Sequence, residues 1–449
     1  MGRKMAVMAA GAAAVLAGGV MSAAGGVMPA AAAAVTEVPC STPALVSAVS
    51  GAASGATLSL AQGCTYVLTS ALPTVAQDLT INGNGATLYR STAAGTDAFT
   101  ILTITAGTVT LNRLSFTNGN GAITVNNLAT LIVTGGVFSG NTAANGGAIN
   151  NTAASVVQVT GASFINNTAT GDGGAMYVFT ALGNQITDCT FLGNTAAGSG
   201  GAYWEWSNGT TISRSTFGGN KAATGGALYL DDQGSVITAT GIHGNGATGD
   251  GGGIFDSPGG TPVPIIGSTI TGNHAGGAGG GLDEESYGAV DPVTNTTIAG
   301  NSAADGGGIN AGSGVLINFT GDTIAGNRAS GDGGGINSRS GVLFTRAILF
   351  HRHAGGIVKS TDSAQEYPSV SFTGSTISGN SAGGRGGGVY NQGSLDASRT
   401  HIMGNRAVGG GGGIYDDGAE ATVTLTNSLL AGNRPDNCEP LNSITGCTG

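Results

Sequence analysis

One motif recurs through most of this chain and fixes what it can fold into. It is FSGNTAANGGAI from Phe138 to Ile149, and it returns as FINNTATGDGGAM from Phe164, FLGNTAAGSGGAY from Phe191 and FGGNKAATGGAL from Phe217. Ile or Leu then replaces Phe in IHGN, ITGN, IAGN, IAGN, ISGN, IMGN and LAGN. The asparagine closing each tetrapeptide stands at Asn141, Asn167, Asn194, Asn220, Asn245, Asn273, Asn301, Asn327, Asn380, Asn405 and Asn433. Neighbours are 25 to 28 residues apart, apart from one step of 53 that reads as two periods with His353 at the midpoint. A period of this size means a solenoid, a propeller or an array. No unit holds the long amphipathic stretch of a helical repeat. Each holds short runs such as Val156–Val159, Ser163–Ile165 and Ala175–Phe179, rich in β-branched and aromatic residues and separated by Gly, Asn, Asp and Thr. Four propeller strands need about 40 residues per blade, which fits worse. The expected fold is all-β: a single-stranded right-handed parallel β-helix of about 12–14 coils of roughly 26 residues, with three short strands and three turns per coil.

Each motif position has a physical role in such a coil. The Phe or Ile points inward and stacks on its counterpart about 4.8 Å away along the axis. The Asn sits at a turn, tolerates a left-handed backbone and bonds the rungs above and below as a side-chain ladder. The small residue two places later suits a crowded corner, and the glycines permit positive φ and close backbone approach. The motif therefore serves folding, not chemistry.

FSGN followed by GGAI at Gly146–Ile149 resembles the paired FxxN and GGA[ILV] repeats of the chlamydial polymorphic membrane proteins. The whole architecture, over Cys40 to Cys447, resembles the pectin-lyase-like β-helix superfamily. The resemblance implies a fold, not an activity. The residues after Asn433 are too few for a translocator barrel, so the anchoring of the chlamydial proteins is not implied.

Residues 1–34 read as a secretory signal, with Arg3 and Lys4 before a long Ala, Val, Met and Leu stretch and a small-residue cleavage site at Ala34. Residues 35–78 form an N-terminal cap and first strands, with helical spacing over Ala44–Ala53 to hide the open end. Residues 79–434 form the β-helix, where LTINGNGATL already shows IxxN spacing at Ile81 and Asn84, and LSFTNGNGAITV is a contracted unit with Gly119 at the ladder position. Residues 435–449 are a tail. The 85 glycines and 9% charged residues suit a glycine-rich solenoid, and the net charge of −10, or −12 once Arg3 and Lys4 leave with the signal, disfavours nucleic acid and anionic membranes as partners. No later stretch is long and apolar enough to span a membrane. The expectation is a secreted monomer. Of the five cysteines, Cys40 and Cys64 bracket the N-terminal segment and Cys438 and Cys447 the last turn, two disulfide candidates suited to an oxidising compartment. Cys189 is left over, buried and inert.

Four features are candidate sites. Asp231 and Asp232, Asp256, then Asp283, Glu284 and Glu285 follow the glycine runs on three successive coils and are expected to cluster on one face. Stacked carboxylates hold Ca²⁺ through oxygen or supply an acid and base for glycoside hydrolysis; the plain alternative is a solvated rim. No other cofactor is expected. Asp172, Asp250 and Asp332 in GDGG turns read as turn-formers. HRHAGGIVKS, with His351, Arg352, His353 and Lys359, reads as a degenerate coil, and polysaccharide lyases of the resembled fold use an Arg or Lys base opposite Ca²⁺-binding acids. The acidic coils are two to three rungs away, roughly 10–15 Å, too far for one reaction centre. Trp204 and Trp206 in AYWEWSNG share a face, and the core is the preferred place for them, with exposure requiring that Glu205 be paired inside. The sequence carries neither the GHG nor the RIK motif of the glycoside hydrolases of this fold. The reading is a secreted, non-catalytic β-helix presenting a repetitive face to a polysaccharide or cell surface, with a polysaccharide lyase or glycoside hydrolase as the alternative.

Overall fold

The computed structural model of the protein describes residues 35–179, 183–206, 209–231, 234–257, 261, 263–285, 290–312, 314–339, 369–418, 421–440 and 444–447. The expected signal at 1–34, Asp232, and the basic stretch with His351, Arg352, His353 and Lys359 lie outside these residues.

A representative rung contains Val156–Thr160, Ser163–Ile165, Thr168–Ala169 and Met176–Phe179. Each strand pairs in parallel with its counterpart one rung on. Four sheets result, here called first to fourth in chain order, with 15, 14, 10 and 13 strands among the described residues. The third was not expected. Its strands are dipeptides after the ladder Asn, too short for alternation to show in sequence, yet their alanines, such as Ala169, turn inward and are buried.

The expected column of inward rings is present. Phe116, Phe138, Phe164, Phe191 and Phe217 stack with centroids 4.6–5.2 Å apart and planes within 10°, and Ile242, Ile270, Ile298, Ile324, Ile377 and Ile402 continue it, all buried. Burying each such side chain stabilises by about 1.5–3 kcal/mol. The asparagine ladder runs beside it. Asn194, for example, donates its backbone N–H to Asn220 Oδ1 at 2.9 Å, and its Nδ2 to Asn220 Oδ1 and the Phe164 carbonyl, both at 3.0 Å. All eleven asparagines are buried. The left-handed residue, however, is not the ladder Asn but the one before it, such as Gly193 at φ 64° or Asn166 at φ 52°. Later in the rung, the second glycine of each pair lies against the next rung: a Cβ on Gly174 would stand 2.0 Å from the Gly201 carbonyl oxygen.

Two expectations about the repeat are corrected. Ile81 lies on the first sheet, paired with Leu58 and Leu111, and Leu88, not Ile81, joins the phenylalanine column through Phe116. The step of 53 is not two rungs. Leu316–Thr320 pairs directly with Ser369–Thr373, Ile336 with Val389, and Asn327 Nδ2 donates to Asn380 Oδ1 at 3.0 Å. The rungs on either side of residues 340–368 are therefore direct neighbours, and those residues, His353 among them, fall between a fourth-sheet strand and the next first-sheet strand. Gly119 does take the ladder position, its N–H donating to Asn141 Oδ1.

The N-terminal end is capped by the helix Thr42–Ser50, started by Pro43, whose Leu45 and Val49 are buried. Cys40–Cys64 and Cys438–Cys447 form the two disulfides. Cys189 is a buried free thiol whose pKa burial pushes up, which suits an inert core residue. No helix among the described residues is long and apolar enough to cross a membrane.

Candidate functional site

The fourth sheet varies where the rest of the rung repeats. Its strands open with a buried inward aliphatic or aromatic residue after the glycine pair, so the next residue points out and the one after points in. Register fixes the outward row as Tyr177, Trp204, Tyr229, Phe255, Asp283, Asn310, Asn337, Tyr390 and Tyr415. Tyr177 and Trp204 stack at 4.3 Å, Trp204 and Tyr229 at 6.1 Å, and Tyr229 and Phe255 at 5.2 Å, all within 11° of parallel. These rings cover one another's faces. Beside them Trp206, 46% exposed, meets Phe179 edge-on. The core placement of Trp204 and Trp206 is thus overturned, and its stated condition holds. Glu205 is buried inside and accepts from Tyr203 Oη, Thr210 Oγ1 and Ser235 Oγ.

Beyond the rings the row becomes polar. Asn310 Nδ2 donates to Asp283 Oδ1, and Asn337 Nδ2 to Asn310 Oδ1, both at 2.7 Å. Asp283 is pushed up to about 8, first by burial and then by the Glu285 and Asp250 carboxylates. Burial and Asp250 likewise raise Glu285. The turn carboxylates form one flank of the row. Asp172 Oδ1 accepts the Ser199 N–H, Asp250 Oδ1 the Ala278 N–H and Asp332 Oδ1 the Arg385 N–H, each at 2.7 Å, so these residues are turn-formers as expected. Asp231 and Glu285 form the other flank, one residue past the strand ends. At the far end Arg339 reaches Asp305 at 2.7 Å, and Arg385 reaches Asp332 at 3.3 Å and Asp417 at 3.2 Å. Arg385 also lies 4.9 Å over the Tyr390 and Tyr415 rings.

The acidic set expected on one face is split by this alternation. Asp283 points out, while Asp256 and Glu284 pair across rungs and point in, each 2% exposed. They meet Asp291 of the first sheet, also 2% exposed, and the three offer oxygens all within 4.8 Å of one another. Carboxylate oxygens at that spacing suit the donor chemistry of Ca²⁺, so the expected metal fits the interior trio better than the outward face. Asp291 was missed because it belongs to the next strand. Tyr177, Tyr229, Phe255, Asn310, Asn337, Tyr390 and Tyr415 were also missed, although each directly follows the aliphatic residue after the glycines.

Residues 149–283 match the family described as right handed beta helix region. No curated protein matches the sequence significantly. Among solved structures, bacteriophage CBA120 tailspike protein 3 is 12% identical with a TM-score of 0.39 over 89% of this chain, which spans 59% of the tailspike's length. The A-module of Azotobacter vinelandii mannuronan C-5 epimerase AlgE6 is 11% identical with a TM-score of 0.33, over 86% of this chain and 95% of the module. Similarity at this level carries no functional information. The family match and the four stacked parallel sheets agree that the chain is a right-handed parallel β-helix.

Proposed function

We propose that this is a secreted, monomeric binding protein that holds an extended polysaccharide along the outward row of its fourth sheet. The observation that carries this is the row itself. Along it aromatic rings stack on four consecutive rungs, give way to an acid and two amides, and return to aromatic residues, as a surface serving a ligand would. The two disulfides suit an extracellular setting. Ca²⁺, if the protein takes it, is assigned to Asp256, Glu284 and Asp291 as a structural ion. Affinity electrophoresis through gels containing different polysaccharides tests the reading: retardation by at least one polymer is expected, weakened in Trp206→Ala and Tyr229→Ala. No retardation, or equal retardation of the variants, removes it.

A second reading, a polysaccharide-cleaving enzyme, is favoured by one observation. Asp283 at about 8 is protonated at neutral pH beside carboxylates of different environment, the condition for an acid and base pair. Reducing ends or unsaturated-product absorbance after incubation with a retarding polymer, lost in Asp283→Asn, would establish it.

A further inference from the structure

Resting on the polysaccharide-binding reading, we infer that the polymer carries ammonium groups: an amino-sugar chain with free amines, not a polyuronate and not its N-acetylated form. The charge along the row leads there. From Tyr177 to Asp283 the row is bordered by Asp172, Asp231, Asp250 and Glu285 and ends on Asp283. Among the described residues no Lys, Arg or His stands on this face or in its flanking turns over that stretch. The field reaches the floor, because Asp172 pushes up both tyrosine hydroxyls, Tyr177 and Tyr229, after the larger effect of burial, and Asp231 adds to it at Tyr229. Among the described residues the guanidinium groups of this face, Arg339 and Arg385, lie beyond Asp283 and are already tied to Asp305, Asp332 and Asp417.

A second observation is independent of charge. Asn337, 0% exposed, points outward in the same row. Its Nδ2 donates to Asn310, and among the described residues its Oδ1 has no hydrogen-bond partner. A buried acceptor left without a donor is costly, and it calls for an N–H or O–H. Ammonium groups supply donors and positive charge together. Uronate carboxylates supply acceptors and would bring like charge against the flanking acids Asp172, Asp231, Asp250 and Glu285, which an interface does not tolerate. The phenol oxygens of Tyr177 and Tyr229 add acceptors for the same donors.

The chain's only two tryptophans, Trp204 and Trp206, both lie on this face, so their fluorescence reports on it directly. The test titrates the full protein, in mildly acidic buffer at low salt, with glucosamine oligosaccharides, their N-acetylated counterparts and oligogalacturonate of matched length. Glucosamine oligomers should bind at least about tenfold tighter than the acetylated set and lose that margin as salt is raised. Oligogalacturonate should not bind. Asp250→Asn and Glu285→Gln should each shrink the margin, whereas Asp188→Asn, on a distant corner, should leave it intact. Equal affinity for amine and acetylated oligomers, or tighter binding of the uronate, overturns this inference while leaving the row as a binding site. Binding of none of the three, together with no retardation by any polysaccharide gel, overturns both.

Discussion

The ladder corner and the outward row of the fourth sheet are built from the same rungs and obey opposite rules. At the corner the same amide makes the same three bonds on every rung, and the link from second to third sheet has one length throughout, as in Ile165 to Thr168 and Met403 to Arg406. On the fourth sheet the outward residue changes along the stack from aromatic to acid to amide and back, and the link to the next first-sheet strand ranges from Asn391–Ser394 to Ser338–Ser369. The contrast separates what holds the solenoid from what it is free to vary. Constancy sits where a misplaced group would be buried without a partner; variety sits where the register is already secured from inside.

The sharpest way to break this contrast is at the ladder. Asn220→Ala removes the Nδ2 bonds to Phe191 and Asn245 and leaves their acceptors buried, which should cost about 3–4 kcal/mol in denaturant unfolding; a loss below about 1 kcal/mol would mean the ladder is ornamental. A smaller gain is expected at the corner between first and second sheets. There Ser or Thr hydroxyls accept a backbone N–H from the previous rung, as Ser268 does from Thr240, but Asp322 stands in their place, accepts from Thr296 and, among the described residues, keeps Oδ2 without a partner. Burial pushes Asp322 up to about 7, above its value of about 4 in the unfolded chain. Folding therefore takes up a proton, and stability falls as pH rises from about 4 to about 7 and then levels off. Asp322→Thr should remove that decline and raise stability at alkaline pH, measured by thermal melts across pH. An unchanged pH profile would place the titration elsewhere.

The variable region should respond weakly to the same measurement. Replacing residues 341–367 by a short glycine turn is expected to leave the unfolding midpoint within about 1 kcal/mol of the parent, because the strands on either side already pair. Collapse of the fold would restore the insertion as a rung. Least of all, Arg214→Ala, which breaks the exposed pair with Asp188, should change nothing measurable.

Period, column, ladder, cap and both disulfides were legible in the sequence because each is local or repeats. What was not legible depends on alternation within strands of three or four residues. Asp256 and Asp283 both follow a glycine run closely, yet one residue of offset sends the first into the core and the second into the outward row. Trp204 and Glu205 are neighbours with opposite fates for the same reason. The step of 53 was misread because spacing alone does not distinguish an extra rung from an insertion; only the direct bond from Asn327 to Asn380 does.

The ladder has one further consequence. Every amide in it faces the same way, with Asn141 donating to Asn167, Asn167 to Asn194, and so on to Asn433, whose Nδ2 donates to Asn437. Each member answers only to its immediate neighbours, so nothing in the series records how many members there are. The molecule works like a ruler cut from a continuous tape: whole divisions can be removed or added between equivalent marks, and its reach along a surface changes while its cross-section stays the same.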